Sequence, residues 1–554
     1  MNIENNILYE ILPEVKNRRI RGNVGMHQGT IALAALALDN RKYFNECIDF
    51  ILSTTNTNTK GLGYGDIYRI LINEVDHDGC GNETSVGYNG LWLDGINSIA
   101  EFLKGTSKDL YNNGKFRKMF NLDIPYLIAD GYSLNIGDTH SAGNPFTTIH
   151  EQPLLSFFEV SEDIKSAQLL DLAARLRAEN GQSGNVIRNM FYDCEKIDRE
   201  IKEIIGKYGQ FRSESKNYSG YGISKIEIRN EGDEPKCVWM YYGRNTGHGH
   251  RDTLMLGLYA YGVFLNPDHG YPCFADGNHE RRCWTVNTIS HDTVMVDEHP
   301  GRNHIVGIPH HFDAGKFVSV MDVEAPLIYE KTSCYRRSSI VVNIDNFTYV
   351  ADFFRVAGGN NHRYIFHGAE GKATSSGLNL VKQNGGTYAG QDIEIASPSY
   401  DETHESGFNY LYDVQRDSAI KDSFCVDWKV KDTWHVWEKQ RNVHIAITVI
   451  DPVDEVILAK GQPPQNKPGN PKEYTYLITH NRGENIKSQF ASIIETYENE
   501  SNLTKAEAVS IVMEDGTPAD YTAKALKVTM KNGRIDYIIN SVDDNAYLVD
   551  NKIA

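Results

Sequence analysis

The sequence has no run of 18 uninterrupted apolar residues, which excludes a membrane-spanning helix. Its opening, MNIENNILYEILPEV, lacks a basic stretch followed by an apolar core, so no signal peptide is visible. A mature or truncated chain would look the same. Cysteine is sparse: Cys47, Cys80, Cys194, Cys237, Cys273, Cys283, Cys334 and Cys425 lie far apart, and none forms a CxxC pair. That spacing is neither a thiolate zinc pattern nor a disulfide scaffold, and the expectation is buried thiols with at most one pair bridged. Positive charge is also short. Lysine and arginine number 56 against 74 acidic residues, a formal net charge of −18, which argues against a nucleic-acid partner.

Net charge is a global quantity, however, and the arginines gather locally. Arg18, Arg19 and Arg21 form one group; Arg244 with Arg251, Arg281 with Arg282, and Arg336 with Arg337 form three more. A solvated surface explains any one group. Four of them beside histidine-bearing segments leave room for a basic cleft on an acidic protein.

A chain of 554 residues exceeds what one core serves, so two or three domains are expected. Residues 1–212 read as helical, with apolar residues at helical spacing in GMHQGTIALAALALDNRKYFNECIDFILS, NGLWLDGINSIAEFLKG and DIKSAQLLDLAARLRAEN. Connectors such as TNTNTKGLGYGD and NIGDTHSAGNP separate them, which suggests a helical bundle or α/α toroid. Residues 213–460 switch to short alternating runs such as CVWMYYG, SSIVVNIDNFTYVADFFRV and VHIAITVI, the pattern of a large antiparallel β-sandwich. GQPPQNKPGNPKEY reads as a loop or boundary, and 461–554 as a β-rich extension with Asn532-Gly533 at a hairpin turn. The expected fold class is α+β and multidomain.

The chemistry concentrates in 241–270, YYGRNTGHGHRDTLMLGLYAYGVFLNPDHG. If this segment is extended, His248 and His250 share a face. Asp268 follows His250 by 18 residues and His291 comes 23 later, giving nitrogen and oxygen donors suited to zinc or another borderline divalent cation. Hydrogen-bonded histidines at strand ends fit the same spacing, and His269 and Asp276 are competing candidates. In the helical half, His27 opens an apolar helix, and Asn23 shares its face if 23–27 is already helical. Tyr88 opens another helix, with Glu83 just before it.

The order of these segments resembles the heparinase II/III-like polysaccharide lyases and the related alginate lyases. The carriers are NVGMHQGT, DGCGNETSVGY, GHGHRD with the strand ending NPDHG, SHDTVMVD, and DFFRVAGGNNHRYIFHG with His362 and His367. Together they span roughly residues 20–500. The resemblance implies an N-terminal α/α toroid, here with a short helical lead-in, followed by an antiparallel sandwich. It implies β-elimination on a uronic-acid-containing polysaccharide, with Tyr88 and His248 as proton-transfer residues and Asn23 and His27 neutralising the uronate carboxylate. A phenol with a reference pKa of about 10 needs nearby positive charge to act as a base. Arg21, Glu83, Asn89 and Arg244 are the implied substrate contacts, although Glu83 and Arg244 also fit as scaffold. His250, Asp268 and His291 are the implied ligands of a structural divalent metal, zinc by preference. Two positions depart from the family pattern: Asn89 stands where a histidine is usual, and Asp292 where an asparagine is usual.

A glycosaminoglycan of the heparin/heparan or chondroitin/hyaluronan type is the expected substrate. Alginate, an unsaturated-uronide hydrolase and an inactive acidic-glycan-binding shell are the alternatives. A periplasmic or secreted location is expected, and a homodimer is left open.

Overall fold

The computed structural model describes residues 3–20, 22–54, 66–274, 278–420, 422–549 and 552–553. Arg21, Asp276 and nearly all of the connector TNTNTKGLGYGD lie outside the described residues. The chain divides into two compact units, residues 1–134 with 147–213, and residues 135–146 with 214–554.

Among the described residues, the regular elements of the first unit are helices apart from one short strand pair, Leu127–Ile128 with Tyr132–Ser133. Arg41–Leu52 buries Cys47, Ile48, Ile51 and Leu52, a single stripe at three- to four-residue spacing. Several helix starts are capped by short polar side chains. Asn40 accepts from the Tyr43 backbone N–H at 3.2 Å, Asp163 from that of Ser166 at 2.8 Å, and Asp193 from that of Lys196 at 3.0 Å. Met26–Ala37 meets Val86–Leu103 through glycine. Gly25 has φ 89°, and a β-carbon there would lie 2.6 Å from the Gly95 Cα. That close approach brings the start of the His27 helix against the middle of the Tyr88 helix.

The second unit is built from antiparallel sheets. An eight-stranded sheet runs in the order Gly371–Ser376, Phe424–Val430, Val443–Val449, Lys487–Glu498, Phe347–Ala357, Cys334–Ile344, Val318–Glu324, Ile308–Ala314. A six-stranded sheet runs Val381–Lys382, Leu411–Asp417, Glu455–Gly461, Tyr474–Arg482, Asn361–His367, Val294–Val296. A five-stranded sheet covers Lys216–Tyr218 to Val263–Phe264. Leu256, Val294, Phe354, Phe366, Trp428 and Ile494, drawn from all three sheets, share one buried core. Each such side chain contributes about 1.5–3 kcal/mol by leaving water. The two-residue period is plain in Phe424–Val430, where Phe424, Val426, Trp428 and Val430 are buried and the residues between them are less so.

One buried ion pair ties this core to the functional segments. Arg337 and Asp352 are fully buried and joined by two parallel hydrogen bonds of 2.9 and 2.8 Å. The remaining Arg337 nitrogen donates to the backbone carbonyls of Leu254 (2.8 Å) and Asp292 (2.6 Å). It thereby clamps the segment after His250 to the one after His291.

Several sequence expectations are corrected here. Residues 135–146 belong to the β unit rather than to a helical connector. The Tyr271 N–H bonds the His140 carbonyl at 2.7 Å, and Ser141 bridges Gly270. Residues 461–474 do not close a domain, because they link two strands that pair with each other; the sandwich continues to Glu498. Beyond it, Leu503–Val509, Ala523–Met530 and Ile535–Ser541 form a small sheet whose Ala506, Leu526 and Val528 pack on Ile340, Ala351 and Phe353. The hairpin at Asn532-Gly533 is as expected: Ala523–Met530 pairs with Ile535–Ser541, and Gly533 has φ 88°. All eight cysteines are free thiols. The Arg336/Arg337 group is not a basic surface, since Arg336 pairs with Asp322 and Arg337 with Asp352; in the Arg281/Arg282 group Arg281 pairs with Asp138 while Arg282 is exposed. No helix among the described residues is long and apolar enough to cross a membrane.

Candidate functional site

Strand Lys236–Tyr241 ends just before the histidine-bearing stretch, and the backbone then turns. The Gly249 N–H reaches back to the Thr246 carbonyl at 2.8 Å, and His248 adopts a left-handed φ of 59°. The expectation of an extended pair sharing one face is therefore wrong. The glycines flanking His248 allow the reversal, which leaves His248 half-buried and turns His250 fully inward. Left-handed backbone is uncommon for a residue with a β-carbon, although histidine is among the more tolerant types. Strain of this kind concentrates at functional positions. Asn245, also left-handed, closes the loop by donating to the Thr253 hydroxyl at 2.8 Å.

His250, Asp268 and His291 converge with no solvent exposure of their side chains. His250 Nδ1 lies 2.9 Å from Asp268 Oδ1 and 3.1 Å from His291 Nε2. His291 Nε2 lies 3.1 Å from Asp268 Oδ2. The outer ring nitrogens fix the tautomers. His250 Nε2 faces Asp138 Oδ1 at 3.1 Å, and His291 Nδ1 faces the Asn287 carbonyl at 2.7 Å. Each outer nitrogen therefore carries a hydrogen, and the two inner lone pairs point at one another and at a carboxylate. Lone pairs so placed repel unless a cation sits among them. Without a metal that cation is a proton: burial opposes charge on His250, but Asp268 and Asp138 outweigh it and lift its pKa to about 10. Burial likewise raises Asp268, and the two imidazoles overcome it, holding the carboxyl far below its ordinary range. The donors and their supporting acceptors fit a zinc-type ion.

Asp138 is the residue that the sequence reading missed. Its second oxygen accepts from Arg281 at 2.6 Å, so this carboxylate joins a cation on one side to His250 on the other. Its backbone N–H also donates to the His248 carbonyl at 2.8 Å, holding the strained turn. No periodicity marks it, because it lies in an irregular Gly/Ser/Thr-rich segment far away in sequence. Asp252 is fully buried with no hydrogen-bond partner on either oxygen among the described residues, and burial pushes its pKa up to about 7. The competing candidate His269 lies outside the cluster, its Nε2 bonded to the Tyr476 hydroxyl at 2.7 Å. Asp292 is buried and accepts from Asn266 (2.6 Å) and the His367 N–H (2.9 Å), a structural engagement. His362 is likewise held by Ser488 and the Gly358 carbonyl, both at 2.8 Å. Arg244 is half-buried in the loop that leads to His248.

In the helical unit, Tyr88 lies in the first turn of Val86–Leu103 and is half-buried. Asn23 precedes the helix that begins at Met26, so it does not share a helical face with His27 as expected. The left-handed Gly25 starts the helix later than the pattern suggested. His27 is 3 % exposed, and burial lowers its pKa to about 4, which leaves a neutral ring at neutral pH. Asn89 is fully buried, its amide donating to the Glu83 carbonyl and the Tyr126 hydroxyl. Glu83 is also buried. A further imidazole, unmarked in sequence, adjoins the Tyr88 helix: His150 occupies the space where a Gly90 β-carbon would sit, and its Nδ1 lies 2.8 Å from Asp123.

Residues 237–313 match the family model described as Heparinase II/III-like, C-terminal, the stretch that carries His248, His250, Asp268 and His291. Among solved structures, a heparinase III is similar at 12% identity with a TM-score of 0.55, over 93% of this chain and 65% of that one. A heparan sulfate lyase HepC mutant from Pedobacter heparinus is similar at 13% identity with a TM-score of 0.51, over 97% and 69%. The chain thus spans about two thirds of the length of these structures. A search of curated proteins finds no match. The family model bears out the resemblance over residues 237–313, and the fold is that of the heparinase III structures.

Proposed function

We propose that this chain is a polysaccharide lyase that cleaves a uronic-acid-containing glycan by β-elimination, with a glycosaminoglycan of the heparan or chondroitin/hyaluronan type favoured over alginate. The observation that carries the reading is the strained, half-buried His248, set two residues from a buried three-donor cluster inside the matched stretch. In this reading a base removes the proton at C5 of the uronate. The C–H electron pair becomes the C4=C5 double bond, the C4–O bond breaks, and the leaving oxygen takes a proton from an acid. No water is consumed.

Each step assigns a task to a side chain. The C5 proton is only weakly acidic, so the adjacent carboxylate must be neutralised or hydrogen-bonded for charge to spread into it. Asn23 and a neutral His27 fit that role as hydrogen-bond donors rather than as cations. Tyr88 and His248 are the proton-transfer residues: either Tyr88 takes the C5 proton and then meets the leaving oxygen, or His248 takes the proton and Tyr88 donates to the leaving oxygen. His250, Asp268 and His291 would hold the divalent metal, which supplies charge neutralisation and a rigid anchor for the turn that bears His248. Arg244 and Arg251 flank that turn in sequence. A periplasmic or secreted location belongs to the same reading.

The hydrolase alternative needs two available carboxyl groups in the helical half. Asp76 is a poor candidate, since its Oδ1 already accepts the backbone N–H groups of Asp78, Gly79 and Cys80 at 2.8, 2.9 and 3.2 Å. Glu83 is buried. The test is a panel of heparin, heparan sulfate, chondroitin sulfate, hyaluronan and alginate followed by far-ultraviolet absorbance of the conjugated unsaturated uronate. Growth of that absorbance on at least one polymer is expected. Cleavage without it would favour hydrolysis, and binding without cleavage would favour a glycan-binding shell.

A further inference from the structure

We propose that His279, Cys283 and Asp401 form a second metal site, separate from the His250 cluster and selective for a thiophilic borderline cation such as zinc. One donor atom from each residue lies within 4.8 Å of the others, and His279 Nδ1 stands 4.0 Å from Asp401 Oδ2. His279 and Cys283 are four residues apart on a helical stretch, with π-type turns over Arg281–Thr285, and so project from one face. Asp401 comes from another element, the last residue of the short helix Pro398–Asp401.

Two observations beyond proximity point to a ligand. Asp401 is 2 % exposed, yet its Oδ1 has no hydrogen-bond partner among the described residues. The His279 Nδ1 is likewise enclosed and without a partner, although the ring as a whole is half-exposed. Buried polar atoms of this kind are rare because each costs about 1–3 kcal/mol when left unpaired. Meanwhile the Tyr410 hydroxyl donates to Asp401 Oδ2 at 2.8 Å, the support that a ligating carboxylate usually receives. A tetrahedral ion with bonds of about 2.0–2.3 Å would draw such donors to separations of about 3.3–3.8 Å, a small closure from the observed spacing. The N, S, O donor set favours zinc over magnesium or calcium, and the partly exposed His279 side leaves the fourth position to water.

The site would also steady the first. Arg281 lies on the same turn, between His279 and Cys283, and donates to the Asp138 carboxylate that supports His250. Pinning the turn to Asp401 fixes where that guanidinium sits.

The thiol separates the two sites experimentally, since the His250 cluster contains none. The metal-free protein is loaded with cobalt(II), and the near-ultraviolet thiolate-to-cobalt charge-transfer band is recorded; zinc content after loading and desalting is measured by mass spectrometry. The wild-type protein is expected to show the band and to retain two zinc ions per chain. Cys283→Ser and the half-exposed His279→Ala are expected to lose the band and one zinc, while His250→Ala keeps the band and loses the other. Absence of the band in the wild-type protein, or its persistence in Cys283→Ser, would overturn the second site. Failure of His250→Ala to lose zinc would count against the first cluster alone.

Discussion

His250 and Asp138 lie 112 residues apart in sequence, and their side chains meet at 3.1 Å with neither exposed to solvent. This contact assigns the hydrogen of His250 to its outer nitrogen and leaves the inner one free to bind a cation. Asp138→Asn keeps the shape but removes the charge that stabilises that tautomer. It is expected to weaken metal binding about 10- to 100-fold, as measured by competition with a chromophoric chelator, while the circular dichroism spectrum is unchanged. Unchanged affinity would show that Asp138 serves only Arg281.

Arg337 holds Asp352 and two backbone carbonyls in a fully buried position. Removing one partner strands a charge, so Asp352→Asn is expected to destabilise the β unit by about 3–5 kcal/mol. Urea unfolding measures the loss, and a change below about 1 kcal/mol would contradict the stranded-charge explanation.

His27 gives a pH dependence with a definite sign. Its folded pKa of about 4 lies below the unfolded value of about 6.5, so between these values the unfolded chain binds a proton that the folded chain does not. Stability from the neutral ring is complete above about pH 6.5 and is lost as pH falls towards 4, amounting to about 3 kcal/mol. Melting temperatures across that window should fall more steeply for the wild-type protein than for His27→Gln. Parallel slopes would mean that the ring is already protonated when folded.

Tyr88→Phe removes only a hydroxyl at a half-buried position. Turnover is expected to drop about 10²- to 10⁴-fold, the usual contribution of a proton-transfer group, with glycan binding by calorimetry nearly unchanged. His248→Ala should lose turnover to a similar extent. Full activity in either variant would remove that residue from the chemistry.

Much of this was legible in the sequence because it is periodic or local. The three- to four-residue spacing of Cys47, Ile48, Ile51 and Leu52 announces a helix, and the alternation of Phe424, Val426, Trp428 and Val430 announces a strand. His250, Asp268 and His291 stand out by residue type and spacing, but spacing alone fits hydrogen-bonded histidines as well, and it is the family resemblance that implies a metal. What escaped has no local signature. Asp138 and Asp401 reach their partners across more than a hundred residues through tertiary packing, and their surroundings are irregular loop and a single helical turn. The reversed backbone at His248 was missed because alternating Gly-His-Gly-His looks extended. The Gly249-to-Thr246 hydrogen bond and the left-handed φ of His248 reveal the turn. The arginine groups misled for the opposite reason. Their clustering is real, but Arg281, Arg336 and Arg337 are each neutralised by an aspartate that linear order does not bring near.

Elimination and hydrolysis are separated most directly by cleaving the preferred glycan in water enriched in oxygen-18 and weighing the fragments. Elimination is expected to give fragments whose masses sum to that of the starting chain, with one double bond per break and no heavy oxygen. One heavy oxygen per break, with saturated ends, would contradict it.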